Sequence, residues 1–60
     1  MTRLSYRIMI ARKKKGILQK DIAHQIGATR AAVSKWEKGL TEPSTENLKK
    51  IAEILGVPIS

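Results

Sequence analysis

Only Gly27 and Ala28 separate two amphipathic stretches in the middle of this chain, and that short gap constrains the fold more than any other feature. From about Gln19, Ile22, Ala23 and Ile26 recur at helical spacing; beyond the gap, Ala32, Val33 and Trp36 do the same up to Lys38. A connection this short, containing glycine, sets two brief helices at a steep angle rather than in a parallel hairpin. Neither stretch is long enough to be stable alone in water, so both must bury their apolar faces in a core shared with the rest of the chain.

The flanking sequence supplies that core. A first helical unit runs from about Arg3 to Lys15 and stops at Gly16, with Leu4, Ile8 and Ala11 on one face and Arg7, Arg12, Lys13 and Lys14 off it. The third helix opens at Thr29, whose hydroxyl can cap free N–H groups of the next turn, and ends at Gly39. A fourth follows Pro43 with Ser44 as its cap, turns Leu48, Ile51, Ala52 and Leu55 inward, and stops at Gly56 before Pro58. Strand signals, internal repeats and linkers are absent. The expectation is a single all-α domain over residues 1–60, a compact bundle of four short helices with room in such architectures for a fifth. The steeply angled pair spans about residues 19–38. There is no cysteine to staple it, so stability rests on packing alone and will be small.

Charge narrows the function. The net charge is +7, but residues 1–38 carry ten Lys or Arg against Asp21 and Glu37, whereas residues 39–60 carry Lys49 and Lys50 against Glu42, Glu46 and Glu53. A field this lopsided draws polyanions to one side of the molecule. No apolar run is long enough to span a bilayer, and the N-terminus lacks a signal-peptide stretch, so the expected location is cytoplasmic or on the nucleoid. Catalysis is not expected. His24 is the single histidine, on the polar side of its helix, and there is no Gly-rich phosphate loop, metal-ligand cluster or carboxylate pair at catalytic spacing. No metal, cofactor or small-molecule substrate is implied.

The third helix sorts into two sides. Ala32, Val33 and Trp36 share an arc with Thr29 and face the core; Arg30, Ala31, Ser34, Lys35 and Lys38 form the opposite, polar strip. Most such strips are only solvated. This one places Arg30 in the first turn, where the helix dipole disfavours a cation. Arginine at the start of a helix in the major groove can grip guanine O6 and N7, while a methyl such as that of Ala31 can pack on thymine. Lys35 lies one turn beyond Ala31 on the same strip, and Ser34 adds a short hydrogen-bonding group.

Taken together, Arg12…Lys15-Gly16-Ile17, Gln19-Lys20-Asp21-Ile22-Ala23, Ile26-Gly27-Ala28-Thr29, Val33-Ser34-Lys35-Trp36-Glu37-Lys38-Gly39 and Glu42-Pro43-Ser44…Glu46-Asn47-Leu48 form an ordered, gapless set from Ile8 to Leu55. That set resembles the XRE-type helix-turn-helix domains, the group of lambda-like phage repressors and Cro proteins. The resemblance implies a repressor-like bundle that binds double-stranded DNA and regulates transcription, with repression as the default. It implies base contacts from Arg30, Ala31, Ser34 and Lys35, and DNA-backbone contacts from Gln19, Thr29, Lys38, Gly39 and Thr41. It further implies a structural ion pair between Arg12 and Glu37, with Trp36 in the core.

The pattern departs from the family at three places. Leu18 stands where members usually carry a capping Thr, Ser or Asn, so the first N–H groups of the second helix need another partner, water or Gln19. Most members continue past Gly56-Val57 into a fifth helix, whereas this sequence ends at Ser60, as an excised domain or a shortened form would. Tyr6, Met9 and Ile10 lie away from the core stripe of the first helix, and Ile54, Val57 and Ile59 are incompletely accounted for. A homodimer on a palindromic operator is expected, its contact from the C-terminal segment, from the Tyr6–Met9–Ile10 face or from a downstream domain. The rival reading is a protein-interaction module, antitoxin- or coactivator-like, that uses the apolar faces of the first and fourth helices. A membrane-surface role ranks behind both, because the basic first helix has no cleanly separated polar face.

Overall fold

The structure, a computed structural model, describes residues 3–57. Four helices follow the punctuation in the sequence: α1 Arg3–Lys14, α2 Gln19–Ile26, α3 Arg30–Lys38 and α4 Thr45–Leu55. No strand occurs among the described residues. Both α2 and α1 pack against α3 and α4, so the two N-terminal helices grip the two C-terminal ones. Ile8, Ile22, Ala23, Ile26, Val33, Trp36, Ile51 and Leu55 form the buried core, with Leu4, Ala11, Ile17, Ala28, Ala32, Leu48, Ile54 and Val57 packed around it. Ile54 and Val57 are thereby accounted for. Ile59 and any fifth helix fall outside the described residues.

The helix ends obey local chemistry where the sequence provides it. Thr29 Oγ1 accepts the Ala32 N–H at 3.1 Å, and Ser44 Oγ accepts the Asn47 N–H at 3.2 Å. Leu18 precedes α2 in extended backbone with no side-chain cap. Only its carbonyl serves that helix, accepting from the N–H groups of Asp21 and Ile22.

Helix α1 departs from the sequence expectation. Its most buried line is Ser5, Ile8 and Arg12, with Leu4 and Ala11 only half-buried beside it. Apolar periodicity placed Arg12 off the core stripe; the chain instead buries the guanidinium, because a carboxylate on α3 meets it there. Tyr6 is exposed, and Met9 and Ile10 are half-buried.

A candidate nucleic-acid interface on the second and third helices

The turn that carries α3 is made by Gly27. Its φ of 73° lies in the left-handed region, and the turn closes with Gly27 N–H donating to the His24 carbonyl at 3.3 Å and Ala28 N–H to Ala23 at 2.8 Å. α2 therefore ends within this turn, and α3 begins at Arg30 under the Thr29 cap.

Buried groups fix the roll of α3 about its axis. Val33, Trp36 and Glu37 face inward and Ala32 is half-buried, leaving Arg30, Ala31, Lys35 and Lys38 exposed on one strip with Ser34 half-buried at its edge. Trp36, only 7% exposed, is a core residue. The Thr29 hydroxyl is exposed; having accepted the Ala32 N–H, it keeps its own proton to donate outward. Thr41 is exposed in the loop after α3.

A buried ion pair locks this helix to its neighbours. Arg12 Nε donates to Glu37 Oε2 at 2.6 Å and Arg12 Nη2 to Glu37 Oε1 at 3.1 Å, while Nη1 donates to the Ile17 carbonyl at 2.7 Å. The fork-to-fork geometry suits a guanidinium and a carboxylate taken out of water together. Gln19 Nε2 donates to the same Oε1 at 3.1 Å. One carboxylate on α3 thus ties together the end of α1 and the first residue of α2, and Arg12 in turn holds the loop between them. No buried side-chain nitrogen or oxygen among the described residues lacks a partner.

Two implied backbone contacts change character. Gln19 is half-buried, its amide nitrogen drawn to Glu37 rather than capping α2, so one N–H and the carbonyl oxygen remain for a ligand. The Gly39 N–H is spent on the Trp36 carbonyl at 3.1 Å and the Leu40 N–H on Lys35 at 3.0 Å, since Gly39, with φ of 76°, closes α3. Gly39 therefore shapes the turn, and the donors left nearby are the Lys38 ammonium and Thr41. The link from Gln19 to Glu37 was invisible in the sequence, where nothing marks a pairing across 18 positions.

An open depression lies where the N-terminal ends of α2 and α3 meet, lined by Arg12, Leu18, Gln19, Lys20 and Arg30. Among the described residues no group of three or more His, Cys, Asp or Glu could hold a metal ion, and His24 is exposed on α2 away from any such partner. No helix among them is long and apolar enough to cross a membrane.

The sequence model of the helix-turn-helix family matches residues 8–60. The chain belongs to the helix-turn-helix family. Within it, this helix-turn-helix chain is similar to the repressor protein C2 of Salmonella phage P22, 39% identical over 49 residues, a match covering 82% of the chain and 23% of the repressor. It is also similar to the HTH-type transcriptional activator BcrR of Enterococcus faecalis, 40% identical over 48 residues, covering 80% and 24% respectively. It thus spans about a quarter of the length of these relatives. Its backbone superposes on the P22 c2 repressor crystallised with a synthetic operator, with a TM-score of 0.88 and 33% identity over 97% of the chain and 88% of that structure. The XRE-type, phage-repressor-like fold expected from the sequence is the fold observed.

Proposed function

We propose that this helix-turn-helix domain, residues 1–60, binds double-stranded DNA in a sequence-specific way by laying α3 in the major groove, and so regulates transcription. The observation that carries the reading is the exposed strip of Arg30, Ala31, Lys35 and Lys38, held in fixed orientation by the buried side of the same helix. Arg30 reads guanine O6 and N7, Ala31 packs on a thymine methyl, and Lys35 and Ser34 reach the next base edges or the adjoining phosphate. Gln19, Thr29, Lys38 and Thr41 grip phosphates on either side, with Gly39 forming the turn that presents the last two.

The relatives include a repressor and an activator. Repression is the simpler mechanism for this chain, because a small domain seated on a promoter excludes polymerase without further surface. The working unit is a homodimer on a palindrome with half-sites about one helical turn apart. Its place of action is the cytoplasm, where the DNA is, and neither cofactor nor substrate takes part.

Selection from random duplexes tests the reading. The expected result is an enriched two-fold symmetric sequence; retention of duplexes without any enriched sequence contradicts it. The protein-interaction reading is favoured by one observation, a largely apolar depression between α1 and the residue that follows Gly56, lined by Tyr6, Ile10, Ala11 and Val57 with Arg7 and Lys14. That depression is compatible with DNA binding, since it opens on residues outside the α3 strip.

A further inference from the structure

Three large apolar side chains stay substantially exposed among the described residues: Tyr6, Leu40 and Leu18, the last at 55%. Leu18 breaks two local rules at once. It occupies the N-cap of α2, where Ser, Thr, Asp or Asn would satisfy a free N–H, and it leaves apolar surface in water. A residue that costs stability twice and stands outside the core cluster points to a contact made outside the chain.

Its surroundings say what that contact is. Leu18 lines the depression it shares with Arg30, Lys20 and Gln19, so its neighbours are cationic or polar and suit a polyanion rather than an apolar protein face. Asp21, one residue further than Lys20 along α2, is exposed but does not line that depression. On the major-groove edge of DNA, the apolar group on display is the C5 methyl of thymine. We infer that Leu18 is a specificity-determining residue, closing on a thymine methyl close to the base pair that Arg30 reads. The inference rests on the DNA-binding reading above and adds to it a contact from outside α3. The missing cap is then the stability cost of carrying an apolar reader at the start of α2.

The test uses the 60-residue chain and the duplex enriched by selection, with each thymine replaced in turn by deoxyuridine, which deletes one methyl. Removing a buried methyl is worth about a four-fold loss of affinity. At one thymine per half-site, wild type should lose about that much, while Leu18→Ala should bind the thymine and uracil duplexes alike. Leu18→Ser, which restores a capping hydroxyl without a methyl, should raise the melting temperature and still lose the thymine preference. If Leu18→Ala weakens every duplex equally with the uracil penalties intact, the leucine packs on sugar and the inference is overturned. If no uracil penalty depends on Leu18, or the enriched sequence has no thymine near the Arg30 position, it is also overturned while DNA binding stands. Absence of any enriched sequence overturns both.

Discussion

Arg30 and Lys38 are both exposed cations on α3, yet they do different work in the proposed complex. Arg30 sits at the start of the helix, where a planar fork can meet a guanine edge, and Lys38 at its end beside the turn at Gly39. Lys38→Ala should therefore weaken all duplexes to the same extent and lower the slope of log affinity against log salt by about 1, measured by fluorescence anisotropy titrations. A change in sequence preference in that variant would contradict the assignment. Glu37 works at the same scale by a different means. It pairs with Arg12 in a nearly dry environment and also accepts from half-buried Gln19, and removing it strands a buried guanidinium. Glu37→Ala should cost about 3–5 kcal/mol, enough to unfold much of so small a domain, whereas the double replacement Arg12→Met with Glu37→Leu should recover most of the stability in urea titrations. If the double variant is no more stable than Glu37→Ala, the pair is not an isolated electrostatic unit.

The helix boundaries were legible from the sequence because they depend on short-range chemistry. Thr29 and Ser44 cap through their own hydroxyls, and Gly27 and Gly39 take the left-handed turn after α2 and α3, all within four residues of the groups they serve. The exposed strip of α3 was legible for the same reason, since 100° periodicity separates Ala32, Val33 and Trp36 from Arg30, Ala31, Lys35 and Lys38; it left Glu37, which is buried, unassigned and put the half-buried Ser34 on the polar side. The inward turn of Arg12 was not readable from periodicity, which scores a buried arginine as surface; only the likeness to known domains suggested its pairing with Glu37. The Gln19 link and the spent Gly39 amide needed three dimensions, because their partners are set by how α1, α2 and α3 pack. Gly27 supplies the prediction at this scale. A Cβ added there would meet no atom within 4 Å, so the cost of Gly27→Ala is purely the left-handed backbone, about 1–2 kcal/mol. Circular dichroism should show a melting temperature lowered by roughly 5–15 °C with the DNA preference of the folded fraction unchanged. An unaltered melting temperature would mean that the turn does not need its positive φ.

At the scale of the whole molecule, charge and symmetry decide. The excess positive charge lies in the part of the chain that contains α1 to α3, and the part that contains α4 is slightly negative. In the proposed complex such a distribution favours approach to DNA through α1 to α3. One domain contacts too few base pairs to discriminate well alone, and two related by a dyad multiply the selectivity. Sedimentation with the selected duplex should give two chains per duplex at micromolar concentration; one chain on a two-fold site would count against the dimer.

The claim on which everything else depends is that Arg30 reads a base. Selections from random duplexes run in parallel on wild type and Arg30→Ala test it most directly. The variant should lose preference at one base pair in each half-site, a guanine, and bind the wild-type sequence about 1–3 kcal/mol more weakly. An enriched sequence identical to that of wild type, position by position, would contradict it.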